Sequence, residues 1–137
     1  MTTFTILEEG ILSYLANYAA VSTLVSNRVY GMVIPQKATL PCITVQRVST
    51  PRSITMDSAG ASGDLISPRF QIDAWATTQK STKAIADAIR AGLHGHTGTT
   101  GTGITIRAAM ADEEVPELDP ETGLYRTRSE YIVWQQE

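Results

Sequence analysis

The segment RFQIDAWATTQKSTKAIADAIRAGLHG, residues 69–95, decides the fold of this chain. From Arg69 to Ala76 apolar and polar residues alternate, as they do in a strand with one buried face. From Thr78 onward the apolar spacing changes to three and four, which is typical of a helix. Thr78 suits the N-cap, and Gly95 lies just past the expected end. The segment therefore predicts a strand followed directly by a helix.

The two periods also predict which side chains face the core. In the strand these are Phe70, Ile72, Ala74 and Ala76, and the opposite face carries Arg69, Gln71, Asp73 and Trp75. In the helix the apolar stripe consists of Ile85, Ala88, Ile89 and Leu93. Both elements are therefore expected to bury one side only.

On the N-terminal side, apolar spacing predicts a helix from Thr5 to Ala20, with Thr5 and Glu8 in a capping-box pattern. A short helical turn is expected from Val21 to Val25. A strand with alternating faces is expected from Pro41 to Val48.

On the C-terminal side, Ile104, Ile106 and Ala108 predict one strand, and alternation from Leu124 to Gln135 predicts another. The turn residues Asp119–Gly123 lie between them, so an antiparallel hairpin closes the chain. The element order predicts a single α+β domain over residues 1–137. Its antiparallel or mixed sheet has about four to five strands, with two main helices packed on one face and a long loop or hairpin arm.

Composition excludes several classes of function. The chain has 137 residues and a formal net charge of −3, with no cluster of Lys and Arg for phosphate binding. Its single cysteine, Cys42, allows no internal disulfide and is expected to be a small buried side chain. No stretch approaches the length of a membrane span. A cytosolic protein without cofactor, membrane or sequence-specific DNA binding is expected.

No catalytic or metal site is predicted. His94 and His96 offer two nitrogen ligands, but the sequence marks no third. The acidic run from Asp112 to Glu121 is expected to be a solvated surface, and the Gly/Thr-rich residues 95–103 a flexible loop. No nucleophile motif occurs.

Two features favour protein contacts instead. Trp75 and Trp134 alternate onto the polar faces of their strands, where a helix of the same chain or a partner is expected to cover them. The segment Ser49–Ser67 is too long for an ordinary connection and carries apolar residues that a free loop would leave in water. We expect this assembly loop to be ordered by a partner.

A series of short motifs resembles a known family. They are Arg28-Val29-Tyr30, Pro35-Gln36, Leu40-Pro41, Arg69-Phe70-Gln71-Ile72-Asp73-Ala74-Trp75-Ala76 and Asp119-Pro120-Glu121-Thr122-Gly123-Leu124-Tyr125-Arg126. In this order they are similar to the tail-completion or tail-terminator proteins of tailed phages, prophages and gene transfer agents. The Gly/Thr-rich loop and the short segment after Trp134 depart from the family pattern.

The resemblance implies a structural virion protein and no enzyme. It implies a hexameric ring at the head-proximal end of the tail, between the major tail tube protein and the head-tail connector or stopper protein. DNA would pass through the ring without sequence-specific binding, and assembly would occur in the host cytoplasm. The residues predicted for the assembly interface are Arg52, Ile54, Met56, Asp57, Leu65, Trp75, Arg126 and Arg128. A head-side connector or adaptor ring, and a small homodimeric ligand- or metal-binding domain using His94 and His96, remain alternatives.

Overall fold

The structure, a computed structural model, describes residues 7–26, 28–31, 34, 39–50, 52–53, 65–99, 105–106 and 108–136. The helices are α1 (Leu7–Asn17), α2 (Ala19–Val25) and α3 (Gln79–Leu93). The strands are β1 (Val29–Gly31), β2 (Cys42–Ser49), β3 (Arg52–Ser53), β4 (Leu65–Ile66), β5 (Arg69–Ala76), β6 (Gly98–Thr99), β7 (Thr105–Ile106), β8 (Ala108–Leu118) and β9 (Tyr125–Gln136).

The main sheet has the strand order β1-β2-β5-β9-β8. β1 runs parallel to β2, and every other neighbouring pair is antiparallel. In the central register, Thr44 lies opposite Asp73, and Asp73 lies opposite Arg128. The predicted α+β fold with a mixed sheet is confirmed.

The helices pack on one face of this sheet and form the core with it. The cluster combines Ile11, Leu15, Ile85, Ile89 and Leu93 of the helices with Ile43, Val45, Phe70, Ile72, Tyr131 and Val133 of the strands. Fully burying one such apolar side chain stabilises a protein by about 1.5–3 kcal/mol. In β5 the four side chains expected in the core are buried, as predicted.

α3 begins and ends where the sequence predicts. The hydroxyl oxygen of Thr78 accepts a hydrogen bond from the backbone N–H of Ser81 over 3.2 Å. Gly95, after the last turn, has a φ of 79°, which a glycine adopts without strain. Gly92 lies so close to Tyr18 that an added Cβ would come within 2.6 Å of the aromatic ring. This glycine therefore sets the distance between α3 and the α1–α2 connection.

The N-terminal prediction is confirmed in type and corrected in its bounds. One helix was expected up to Ala20, but α1 ends at Asn17 and α2 begins at Ala19. Tyr18 separates them with extended backbone angles, and its ring packs near Gly92. The predicted cap, Thr5, lies outside the described residues.

The C-terminal hairpin is confirmed, and its first strand is longer than predicted. β8 continues through the acidic run to Leu118, so these residues form a strand rather than an irregular stretch beside a turn. The reason is tertiary, because β8 pairs with β9 along its length, and no strand within the described residues lies on its other side. Such an edge position tolerates Pro116 and charged side chains. The turn ends at Gly123, whose φ is 72°.

The predicted strand through Ile104, Ile106 and Ala108 is divided. Thr105–Ile106 pairs with Gly98–Thr99 as a separate small ladder, and Ala108 begins β8. Ile104 and residues 100–103 lie outside the described part of the chain. Within the predicted flexible loop, Gly98 and Thr99 therefore form a strand.

The segment Ser49–Ser67 begins and ends as a hairpin. β3 pairs with β4 through Arg52 opposite Ile66 and Ser53 opposite Leu65, so β3 and β4 prolong β2 and β5 beyond the main sheet. β4 also pairs with the end of β9. Ile54, Met56 and Asp57 lie outside the described residues.

Candidate assembly surface

The face of the sheet opposite the helices, here called the open face, carries the main polar cluster. Its side chains come from alternate positions of β2, β5, β9 and β8. A groove of about 310 Å³ crosses it beside the turn between β8 and β9. None of the three helices that the structure describes packs there, because their buried side chains all contact the other face.

Trp75 lies flat in this groove and is held by two polar neighbours. Its indole N–H donates a hydrogen bond to the hydroxyl oxygen of Thr44 over 3.0 Å. The guanidinium carbon of Arg126 lies 5.1 Å from the ring centroid, a distance at which the cation is attracted to the aromatic face. The described helices leave Trp75 half-buried rather than covered. The ring is therefore held by two contacts and partly exposed, as an aromatic anchor of a protein interface would be.

Two of the three arginines predicted for the interface, Arg126 and Arg128, meet within the chain. Arg126 forms an ion pair with Glu117 of β8, and Arg128 lies 3.5 Å from the other oxygen of the same carboxylate. The hydrogen bond from Arg126 is the main cause of a lowered pKa of Glu117. Arg126, Arg128 and Trp75 thus lie together. The guanidinium groups of the two arginines already have an anionic partner, Glu117.

A second ion cluster lies further along the same face. Arg69 binds Glu130 over 3.0 Å and also pairs with Asp112. Asp112 is the extra residue of a β-bulge between Ala111 and Glu113, and such bulges redirect a side chain. The bulge therefore explains how one more carboxylate of β8 reaches Arg69.

Asp73, between these clusters, is the residue that sequence reasoning missed. Its side chain was expected on the polar face, and it is there, but it is only 6% exposed. One carboxylate oxygen accepts a hydrogen bond from the Gln71 amide over 2.9 Å. The other oxygen is buried and has no hydrogen-bond partner within the described residues. Burial raises the pKa of this carboxyl group, and the Gln71 hydrogen bond and the charges of Arg126 and Arg128 partly oppose the rise.

With this geometry in place, comparison with known proteins identifies the family. The family model described as "Tail completion protein gp17" matches residues 9–136, almost the whole chain. The chain belongs to this family. It is therefore a structural protein of the virion tail, and the predicted resemblance is confirmed.

A solved structure supports the same fold. A chain of the structure titled "Virion of native gene transfer agent (GTA) particle" superposes with a TM-score of 0.79. The match covers 96% of this chain and 95% of that chain at 14% sequence identity, so it shows a shared fold. No curated protein matches the chain. Among the described residues, no helix combines the length and apolar character that crossing a membrane requires.

The family motifs fall on elements that frame the open face. Arg69–Ala76 is the whole of β5, and Asp119–Arg126 is the closing turn with the start of β9. The motif Arg28-Val29-Tyr30 leads into β1, the opposite edge. The tail completion motifs thus mark the frame of the groove, whereas Pro35 and Gln36 lie outside the described residues.

The histidines have structural contacts. The Nδ1 atom of His94 accepts a hydrogen bond from the backbone N–H of Ala111 over 2.9 Å, and His96 packs on the Tyr14 ring at 4.3 Å between centroids. Among the described residues, no three potential metal ligands converge. The Nε2 atom of His96 is buried and has no hydrogen-bond partner among the described residues.

Cys42 is fully buried, as predicted. Burial raises the pKa of its thiol to about 11, so the side chain is neutral at physiological pH. A neutral buried thiol is a poor nucleophile. In this tail completion protein it acts as a small apolar side chain at the start of β2.

A second groove lies on the helix side, between α3 and the edge strand β8. It encloses about 370 Å³ and is lined by Gln79, Lys83, Glu114, Pro116 and Thr127. Lys83 binds Glu114 over 3.2 Å and Asp87 over 3.0 Å, so its charge has partners on both elements. This groove therefore differs from the open face, where a buried carboxylate oxygen is left unpaired.

Proposed function

We propose that six copies of this chain form a closed ring that ends the tail tube and joins the tail to the head connector. The match to the tail completion family over residues 9–136 carries this proposal. The fold shared with a gene transfer agent virion chain is consistent with it. Its direct partners would be a second copy of itself, the major tail tube protein and the connector or stopper protein.

The shape of the molecule suits a ring. Head-to-tail contacts between identical subunits need two different surfaces on each copy. The chain offers a helix-covered side and an open sheet face, and these differ in charge and in chemistry. Each copy carries a formal net charge of −3, so an assembled ring would carry a net negative charge, which disfavours adhesion of DNA.

The hairpin formed by β3 and β4 is the proposed assembly arm. It prolongs two central strands, and β9 supports it from the side. We place Arg52, Ile54, Met56, Asp57 and Leu65 in contact with a neighbouring subunit. Trp75, Arg126 and Arg128 of the open face complete the proposed contact set.

Native mass spectrometry of the purified chain, alone and with tail tubes that lack it, tests the proposal. We expect a hexamer, or a monomer that becomes a hexamer on the tubes, with the ring at one tube end in electron micrographs. A larger ring that binds heads but not tubes would identify a head-side connector instead. A dimer with one metal ion per chain would favour the ligand-binding alternative.

The arm has its own test. The double variant Arg52→Glu with Met56→Asp is expected to prevent ring formation while the circular dichroism spectrum of the free chain stays unchanged. Thr97→Asp, at an exposed site after α3, is the control. Normal rings and normal tail joining by the double variant would exclude the arm from the interface.

A further inference from the structure

The buried carboxylate of Asp73 lacks the ion pair with an arginine that the neighbouring carboxylates have. Glu117 has two arginine partners, and Asp112 and Glu130 share Arg69. Asp73 lies between them at 6% exposure, and one of its oxygens has no partner in the described part of the chain. A buried polar group without a hydrogen bond destabilises a folded protein. The isolated subunit thus carries an unfavourable group at the centre of its open face.

The groove above Asp73 fits a long cationic side chain. Trp75, Leu124 and Ile34 offer apolar surface along it, and Asp119 adds a second carboxylate at its rim. Lysine and arginine pack their aliphatic stems on apolar surface and direct their charge to an acceptor. A cation bound to a carboxylate forms a stronger hydrogen bond than a neutral donor does. Arg126 also lines the groove, but its charge is paired with Glu117, so the two carboxylates favour a cationic group over an apolar one.

Among the lysines and arginines whose side chains the structure describes, Lys80 is the one without a carboxylate or backbone carbonyl partner. Every arginine whose side chain the structure describes contacts a carboxylate or a backbone carbonyl, and so does Lys83. Lys80 contacts neither among the described residues, and it is exposed. It also lies in the first turn of α3, which contains no acidic residue. A positive charge there is disfavoured by the helix dipole.

Lys80 and the turn that borders the groove lie at the same end of the molecule, on opposite faces. β5 ends at Ala76, which pairs with Tyr125 beside the turn that borders the groove. Lys80 follows Ala76 by four residues but belongs to the helix layer on the other face. Within one subunit the sheet therefore separates Lys80 from Asp73. Lys80 and the groove lie at the same height along the strands. The helix side of one subunit can therefore meet the open face of the next, and repetition of this contact closes a ring whose axis is parallel to the strands.

We propose that Lys80 of one copy enters the groove of the next copy and binds the unpaired oxygen of Asp73 beside Trp75. The contact joins the helix side of one subunit to the open face of its neighbour, as a head-to-tail ring requires. It rests on the proposed ring and specifies one of its contacts. Each subunit then supplies one cation and receives one.

A double-mutant cycle tests the contact. The variants are Asp73→Asn, Lys80→Gln and their combination, and the readout is the subunit dissociation constant of the ring, measured on tail tubes if the free chain is monomeric. We expect each single change to weaken association by about 10- to 100-fold, because it leaves the other partner buried and unpaired. The combined variant should be no weaker than either single variant, because the second change removes a group that has already lost its partner.

The stability of the free chain gives an independent readout. Asp73→Asn should raise its melting temperature by about 2–6 °C, because an amide replaces an unpaired buried charge. If Asp73 served only to stabilise the fold, Asp73→Asn would lower the melting temperature of the free chain. The matched controls are Glu113→Gln, an exposed carboxylate of β8, and Lys83→Gln, a lysine of α3 with partners in its own chain. Neither control should weaken association.

Two results would overturn the contact while leaving the ring intact. One is a wild-type dissociation constant for both single variants, and the other is a combined effect equal to the product of the two single effects. If the unsubstituted chain forms no ring, even with tail tubes present, the proposed function itself fails and the contact fails with it. These outcomes separate the two proposals.

Discussion

The two faces of the sheet differ in the burial and polarity of their side chains. On the covered face, Phe70, Ile72 and Ala74 are fully buried against the helices. On the open face, the intervening residues of the same strand are partly exposed, with Asp73 as the buried exception. One strand therefore serves two purposes. Its apolar half stabilises the subunit, and its polar half carries groups that we propose contact a neighbouring copy.

The largest effect on this contrast is expected from Phe70→Ala. Phe70 is fully buried on the covered face, and truncation of such a ring destabilises a protein by about 3–5 kcal/mol. Urea denaturation measures the loss. The comparison is Trp75→Ala on the open face of the same strand. Compared with Phe70→Ala, it is expected to lower the unfolding free energy less and to weaken ring association more. Equal losses of unfolding free energy for the two variants would contradict the division of the strand.

Gly92→Ala should be the next largest change. The added methyl group would lie 2.6 Å from the Tyr18 ring, so the helices on the covered face must separate or the ring must move. Overpacking of this kind costs about 1–3 kcal/mol. Ala91→Ser at the neighbouring exposed position is the control and should be close to neutral. If Gly92→Ala melts like the wild type, Tyr18 does not set the helix spacing.

The open face should link stability to pH through Asp73. Burial is the main cause of its raised pKa, and the groups that face it are Gln71, Arg126, Arg128 and Glu117. The folded chain holds this proton more tightly than the unfolded chain does. The unfolding free energy of the wild type should therefore rise as pH falls from the raised pKa towards the ordinary aspartate value.

The comparison with Asp73→Asn isolates this effect from other carboxylates. At neutral pH the variant should be more stable than the wild type by about 1 kcal/mol. The difference should shrink as the pH falls and the wild-type carboxyl group becomes protonated. Denaturation of both proteins across this range is the measurement. A pH-independent difference would show that ionisation of Asp73 is not the cause.

The smallest effect is expected from Glu117→Gln. Its ion pairs with Arg126 and Arg128 lie at about 30% side-chain exposure, where solvent screens them. Such pairs contribute about 0–1 kcal/mol, and salt reduces the contribution further. Thermal melting at low and high salt checks both statements. A loss comparable to that of Phe70→Ala would mean that the open face stabilises the subunit as the covered face does.

Local sequence signals predicted the centre of the fold. β5, α3 with its cap, and the turn at Asp119–Gly123 were found because each depends on its own residues. β1 was not expected, since three residues are too few for a pattern and its parallel pairing with β2 is long-range. The strand from Asp112 to Leu118 was missed because acidic residues and a proline have low strand propensity, and pairing with β9 overrides it.

Local sequence signals also predicted only part of the candidate surface. The alternation placed Trp75, Arg126 and Arg128 on one face, and the structure brings them together around Glu117. The burial of Asp73 was invisible, because it results from side chains on neighbouring strands rather than from its own segment. The only signal was an acidic residue within an otherwise well-packed strand.

The edge strand β8 also limits how these molecules meet. In the described part of the chain the outer edge of β8 is unpaired, and an edge of eleven residues can pair with the same edge of another copy and continue the sheet. Here Pro116 offers no N–H, the bulge at Asp112 breaks the regular spacing, and two such acidic edges repel each other. These features disfavour edge-to-edge pairing and are consistent with the proposed contact between faces. We propose that this protein ends the growth of the tail tube. Its own edge strand carries features that hinder the growth of a continuous sheet of subunits.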